Sequence, residues 1–266
     1  MSIISLQNLS KNFGKFEAVK NLNIEIEKGK TFGFIGHNGA GKTTTLSMIS
    51  GILKPDKGKI SIFGKNLYES DSNDAMEIKS KIGVVPEQPY LYGNMNVHDF
   101  LSFFADIYKI KNKEERINFV LTHVNLSGSK NKKLSEFSKG MKQRASIARV
   151  LLHNPEILIL DEPMSGLDPV GIKEIRDIII GQKKEGKTII ISSHILTEIE
   201  NISDYVVVMN KGEAIQNENI EQILNSSVSE IELEIEVDAM NAQLTDGLKN
   251  FDFVKNINSS GNNLKI

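Results

Sequence analysis

The spacing of apolar and polar residues changes several times along the chain, and each change marks an element. Residues 3–9 alternate loosely. Residues 19–27 alternate apolar with polar side chains, the pattern of strands with one buried face. Residues 31–35, 82–86, 157–160 and 188–192 are instead short, nearly continuous apolar runs, which predict strands buried on both faces. Between them lie helical stretches. Residues 44–49 run helix-like until Gly51. Met141, Ala145, Ala148 and Leu152 recur at four, three and four residues and predict a helix over 140–152 that stops at Asn154-Pro155. Helices are also predicted over 169–184 and 196–202. Residues 89–126 read as mostly helical, with Phe100, Phe103, Phe104 and Tyr108 at helical spacing and most of them expected in the core. Residues 90–95 (Tyr90-Leu91-Tyr92-Gly93-Asn94-Met95) form a non-periodic loop, which either packs on the protein or presents an apolar patch to a partner. Residues 205–209 and 213–216 predict a hairpin through Asn210-Lys211-Gly212.

Buried strands alternating with helices define an α/β nucleotide-binding core. The pattern shifts after about residue 217. Ile231, Leu233, Ile235 and Val237 alternate with Glu230, Glu232, Glu234 and Glu236, a half-buried strand. A helix over 239–248 and strands over 251–257 and 263–266 follow. The expected organisation is a core over 1–217, with a helical subdomain over about 89–153, and a small α+β appendage of β-α-β-β type over 218–266. That set is about half of a ferredoxin-like unit and is expected to be incomplete, with a role in dimer stabilisation or regulation.

One stretch carries chemistry by itself. Gly36-His37-Asn38-Gly39-Ala40-Gly41-Lys42-Thr43 fits G-x-x-x-x-G-K-[ST], between a predicted strand and a predicted helix. Backbone N–H groups of a glycine loop and a helix N-terminus converge there, which suits a polyphosphate. The predicted phosphate cradle is Gly36, Asn38, Gly39, Ala40, Gly41, Lys42, Thr43 and Thr44, with Lys42 as the cation and the Thr43 hydroxyl as a ligand to Mg²⁺. His37 receives no role. Asp161 and Glu162 end an apolar strand, where Asp161 can organise Mg²⁺ and Glu162 can orient or deprotonate a water.

Composition narrows the reading. The 266 residues carry a net charge of −2, so nucleic acid is not an expected partner, and the absence of cysteine excludes disulfides, thiolate metal sites and thiol nucleophiles. That fits a reducing cytoplasm. The N-terminus lacks the features of a signal peptide, and no apolar run approaches the ~20 residues needed to span a bilayer, so any membrane role needs a partner.

Phe137-Ser138-Lys139-Gly140-Met141-Lys142-Gln143-Arg144 and the run from Ile157 through Asp161-Glu162-Pro163-Met164-Ser165-Gly166-Leu167-Asp168-Pro169 resemble the ATP-binding subunit of an ABC transporter. The signature of that family is L-S-G-G-Q. This chain departs from it at Phe137, Lys139 and Met141 and keeps Ser138 and Gly140, in a form similar to the exporter branch that pairs with ABC-2-type permeases. The resemblance covers about residues 1–216. It implies an antiparallel β subdomain and a helical subdomain around a mixed sheet, and further site residues. Gln88 matches the glutamine that senses Mg²⁺ and the γ-phosphate. His194 matches the switch histidine, and Asp168 the loop that follows the acids. Phe13 matches the aromatic that stacks on adenine, with Phe16 close enough to compete. The implied partners are an integral membrane permease and a second ATPase subunit. They form a head-to-tail pair in which Ser138 and Gly140 meet the other subunit's ATP, peripheral on the cytoplasmic face of the membrane. Two other classes compete. The alternative is a non-transport ABC ATPase, an assembly or repair module, although the coiled-coil insertion of chromosome-type members and the tandem domains of translation-type members are not seen in this sequence; a catalytically silent binder is disfavoured by the presence of both Glu162 and His194. Asn210-Lys211-Gly212-Glu213 resembles a guanine-reading motif, but Glu213 stands where Asp is required.

Overall fold

The computed structural model describes residues 2–219, 234–236, 258–260 and 263–265. The chain divides into two compact units, Met1–Ile220 and Glu221–Ile266.

The first unit contains two sheets. β1 (Ser2–Phe13), β2 (Phe16–Glu27), β4 (Lys57–Ile62) and β5 (Lys65–Asn66) form an antiparallel sheet in the order β2-β1-β4-β5. β3 (Thr31–Ile35), β6 (Ile82–Val85), β7 (Ile157–Leu160), β8 (Thr188–Ser193), β9 (Tyr205–Asn210) and β10 (Glu213–Asn219) form the second, ordered β10-β9-β3-β8-β7-β6. In it, β9, β3, β8, β7 and β6 run parallel and only the edge strand β10 is antiparallel. Its helices are α1 (Lys42–Ile49), α2 (Ser72–Ser80), α3 (Val97–Ile107), α4 (Lys113–His123), α5 (Lys139–Leu151), α6 (Pro169–Lys184) and α7 (Leu196–Ile199).

The continuous apolar runs have a direct cause. Along β7 and β8 successive side chains serve two cores. Leu158, Leu160, Ile189 and Ile191 face a cluster with α3, α4, α5 and α6. Ile157, Ile159 and Ile190 face a cluster with β1, β2, β4 and α1. A sheet covered on both faces has no polar position to alternate with.

Several boundaries differ from the sequence pattern. β1 continues through Phe13, past the loop expected from Ser10, because Lys11, Asn12 and Phe13 pair with Val19, Glu17 and Phe16. Asp56 anchors this extension by accepting hydrogen bonds from Lys11 Nζ and Asn12 N. The polar helix α2 was not expected; only Ile78 is buried, and the Asp71 side chain caps it by accepting from Asp74 N at 2.8 Å. The expectation that α3 buries its aromatic positions holds for Phe100, while Phe104 is partly buried. Phe103 and Tyr108 are exposed, because α3 packs with one stripe and leaves the other outward.

In the second unit, β11 (Glu234–Glu236), β12 (Asn258–Ser260) and β13 (Asn263–Lys265) form an antiparallel sheet ordered β11-β13-β12, with Ile235 and Ser259 both opposite Leu264. The helix expected over 239–248 and the strand expected over 251–257 lie outside the described residues.

Candidate nucleotide site

The strand order β3-β8-β7-β6 sets four loops side by side at the carboxyl edge of the sheet, the usual ligand crevice of such folds. β3 delivers the glycine loop, β8 His194, β7 Asp161 and Glu162, and β6 the segment at Glu87 and Gln88. A cleft of about 310 Å³ opens there, and Asn38, Gly39, Ala40, Gly41, Lys42, Thr43, Thr44, Glu162 and His194 line it, together with Phe16, Ala18, Glu87 and Ser165.

The glycine loop is held tightly. A Cβ on Gly36 would lie 2.4 Å from the Met209 carbonyl oxygen. One on Gly41, which has φ of +103°, would lie 2.5 Å from that of Ala18. Neither position accepts a side chain. Gly41 caps α1 without a side-chain hydrogen bond, so the first N–H groups of the helix keep no side-chain acceptor. His37 tethers the loop to the adjoining strand. Its Nδ1 is 2.8 Å from the Asn38 carbonyl oxygen and its Nε2 3.0 Å from Asn210 Oδ1. These two acceptors, Asn210 first, raise its pKa above the ordinary imidazole value against the opposing charges of Lys42 and Lys211.

The charged centre is compact. Lys42 Nζ donates to the Gly36 carbonyl oxygen at 2.6 Å and lies 3.2 Å from Glu162 Oε1; the two side chains are only 5% and 7% exposed. That contact is an ion pair without hydrogen-bond alignment, since Glu162 Oε1 has no hydrogen-bond partner among the described residues. The other oxygen, Oε2, is 2.9 Å from His194 Nδ1. A carboxylate only accepts, so the imidazole carries its proton on Nδ1. Glu162 thus stands between two cationic or proton-bearing groups, in the left-handed region with φ of 45°.

The remaining predicted residues fall into two sets. Asp161 is buried behind the cleft wall, where its Oδ1 accepts from Ser192 Oγ at 2.6 Å. Ser138, Gly140 and Asp168 do not line the cleft. Ser138 caps α5 by accepting from Met141 N at 3.3 Å, and Asp168 caps α6 by accepting from Gly171 N at 2.8 Å. Gly140 lies near Gly171 and Leu167, so these three share one neighbourhood. Two expectations meet a different placement. Glu87, not Gln88, borders the cleft, and so does Phe16, not Phe13, whose ring has Lys11 Nζ 5.8 Å from its centroid. Sequence reading passed over Glu87 although it follows β6 directly through Pro86, and passed over Ser192 and Ser165 because nothing in their local pattern sets them apart.

A phosphate cradle, a buried lysine and a glutamate–histidine pair on a parallel sheet define a P-loop nucleoside triphosphatase. A family model described as ABC transporter matches residues 19–165. The chain is 45% identical over 216 residues to the bacitracin transport ATP-binding protein BcrA of Bacillus licheniformis, spanning 81% of this chain and 69% of that protein. It is 37% identical over 232 residues to the lantibiotic transport ATP-binding protein SrtF of Streptococcus pyogenes, spanning 85% and 97%. Among solved structures, cbiO1 of Clostridium perfringens, part of the ABC transporter complex cbiONQ, has a TM-score of 0.77 at 32% identity and covers 85% of this chain and 92% of that one. A dimeric ATP-binding cassette in a post-hydrolysis state bound to ADP and Pi has a TM-score of 0.74 at 26% identity, over 82% and 98%. The chain belongs to the ABC transporter family and is one of its ATP-binding, ATP-hydrolysing subunits.

Glu162 stands where it would compete with a bound phosphate for Lys42. Removing one partner of a buried pair leaves the other uncompensated. Glu162→Gln is therefore expected to tighten ADP binding roughly tenfold, or about 1.4 kcal/mol, in calorimetry, while Lys42→Ala weakens it; unchanged affinity in both would contradict the geometry. The aromatic pair at the tip of the β1–β2 hairpin gives a second expectation. Loss of the ring that stacks on adenine costs about 1–3 kcal/mol, so Phe13→Ala and Phe16→Ala, measured singly and together, identify it. Wild-type affinity in the double variant would remove both from the site.

Proposed function

We propose that this subunit energises export through a separate membrane permease by closing and opening a head-to-tail dimer around two ATP molecules. The observation that carries the proposal is the division of the functional residues into two neighbourhoods on one chain. The cleft residues Lys42, Glu162 and His194 form one, and Ser138, Gly140 and Asp168 form the other. In a twofold pair each neighbourhood faces the complementary one, so two copies complete two sites. The dimeric cassette structure and the transport names of the relatives support this reading. Those relatives are named for bacitracin and lantibiotic transport, which favours cargo of that kind. It also favours a permease of the ABC-2 type.

Phe13 or Phe16 holds the adenine in this proposal, and Gly36 to Thr44 hold the phosphates. Glu162 takes a proton from the attacking water, and His194 meets the γ-phosphate. In this proposal Mg²⁺ is bound largely by water and substrate phosphates. Thr43, Asp161 and either Gln88 or Glu87 are its protein partners. When bound, that ion polarises the phosphoryl oxygens and neutralises charge that builds up during transfer. All of these roles fall within residues 1–217, and the C-terminal appendage takes none of them.

A candidate permease-facing surface adjoins the site. Among the described residues no helix is long and apolar enough to cross a membrane. The loop after β6 and the outer stripe of α3 instead expose Tyr90 (84%), Tyr92, Phe103 and Ile107, and the Tyr92 and Phe103 rings meet edge-on at 6.0 Å. Exposed apolar side chains grouped in this way favour a protein interface, and Tyr90 follows Glu87 and Gln88 in the same loop.

The dimer reading predicts that Glu162→Gln with ATP and Mg²⁺ elutes as a dimer in size-exclusion chromatography, and as a monomer with ADP, with hydrolysis reduced about a hundredfold or more. A variant that hydrolyses at the wild-type rate would exclude Glu162 as the water-activating group. The cleft geometry predicts that Glu87→Gln weakens the response of hydrolysis to Mg²⁺ more than Gln88→Ala does. The reverse order, read from Mg²⁺ titrations of both variants, would return the role to Gln88.

A further inference from the structure

We propose that Ser192 is a positioning residue for ATP hydrolysis, its hydroxyl fixing Asp161 and Glu162 in one arrangement. The inference deepens, and rests on, the reading of Asp161 as the organiser of the metal and Glu162 as the base.

The sheet register creates the contact. Leu160 lies opposite Ile191 on β7 and β8, so the next residues, Asp161 and Ser192, are neighbours. On its other side Ser192 lies opposite Phe34 of β3, one residue before the strand passes into the glycine loop. Ser192 is fully buried and follows Ile189-Ile190-Ile191 in an apolar strand, where an unsatisfied hydroxyl would be costly. Both of its hydrogen-bonding capacities are used on the two acids. Oγ donates to Asp161 Oδ1 at 2.6 Å and accepts from the Glu162 backbone N–H at 2.8 Å.

Two consequences follow. The bond to Oδ1 fixes the Asp161 carboxylate in rotation and leaves Oδ2 as the oxygen it can present elsewhere. The bond from the Glu162 N–H supports a non-glycine residue in the left-handed region, a conformation that needs support from its surroundings. That conformation sets the Glu162 carboxylate between Lys42 and His194. Ser192 touches neither nucleotide nor water in this scheme and acts only through the two acids. Its neighbour Ser193 turns the other way. There Oγ donates to Glu198 of α7 and accepts from Ile195 N at 3.0 Å, which holds the segment that carries His194.

The test is Ser192→Ala in the full chain, read by three measurements. ADP affinity without divalent cation should stay within about twofold of wild type, since the glycine loop and Lys42 are untouched. The gain in ADP affinity on adding Mg²⁺ should shrink, and kcat should fall about tenfold or more with KM changed by less than about threefold. In a Glu162→Gln background the same substitution should slow hydrolysis by a smaller factor than in the wild type, because one of the two groups it positions is already disabled. Ser192→Cys, close in volume with a weak S–H donor, should fall between wild type and alanine.

Wild-type kcat and a wild-type Mg²⁺ response in Ser192→Ala would overturn the proposal. So would an equal loss of ADP affinity with and without Mg²⁺, which would mark a general loosening. Failure of both the alanine and the cysteine variants to fold would make the hydroxyl a structural element and overturn it as well. The underlying reading fails separately: if Glu162→Gln alone retains wild-type hydrolysis, the base assignment falls whatever Ser192 does.

Discussion

The parallel pairing of β3, β8, β7 and β6, covered on both faces, is the constraint on which the site depends. Apolar side chains leave these strands no polar position along their length, so polar chemistry is pushed to their ends. Since the strands run the same way, those ends coincide at one edge, and adjacency in the sheet becomes adjacency in the cleft. A slip of one residue between β7 and β8 would exchange the two cores' side chains and part Asp161 from Ser192. The same apolar pairing that stabilises the fold therefore fixes the relative positions of the glycine loop, the acids and the histidine.

Within that edge the electrostatics are set by burial. Lys42 and Glu162 lie 3.2 Å apart with almost no exposure, so their attraction is screened little by solvent. A pair of this kind contributes less net stability than its Coulomb energy suggests, because both charges have lost their water. Its importance lies in the exchange it permits. A polyphosphate brings a denser negative charge to Lys42 than the carboxylate does, while the loop N–H groups and the N-terminus of α1 favour the same anion.

Much of this was legible in the sequence, and the exceptions have physical causes. The glycine loop, the acids at the end of β7 and His194 could be read directly because each needs specific residue types at fixed spacing beside a buried strand. The buried strands themselves stood out because covering on two faces removes alternation. Glu87 did not stand out, and Phe16 stood only as the competitor of Phe13. Which of two neighbouring residues turns toward a cleft is decided by the twist of a loop or hairpin, and Gln88 and Phe13 differ from them by only one and three positions. The aromatic row of α3 was misread for a related reason. Helical spacing shows that Phe100, Phe103, Phe104 and Tyr108 lie on adjoining stripes, but not how wide a stripe the neighbours cover; only Phe100 is fully enclosed. Helix α2 escaped because it buries a single residue, Ile78, and is held by its Asp71 cap rather than by an apolar face. Ser192 is the clearest case, since its importance lies in a register between strands about thirty residues apart.

Glu162 meets Lys42 through one oxygen and His194 through the other, so in this arrangement both of its oxygens are engaged. In the proposed role of Glu162 as base, neither oxygen is free to meet a water while both contacts persist. When phosphates take Lys42, one oxygen is released while the histidine contact and the Ser192-supported backbone still hold the side chain in place. In that proposed role the carboxylate would become available once phosphates occupy the lysine. Ser138 and Asp168 are meanwhile engaged as caps of their own helices, with Gly140 near Gly171 and Leu167 and none of them on this cleft. In the proposed function a single chain would bind nucleotide and release its base, and the helix N-termini of a second copy would close the far side of the γ-phosphate, so hydrolysis would be gated first by the phosphate on Lys42 and then by the second subunit.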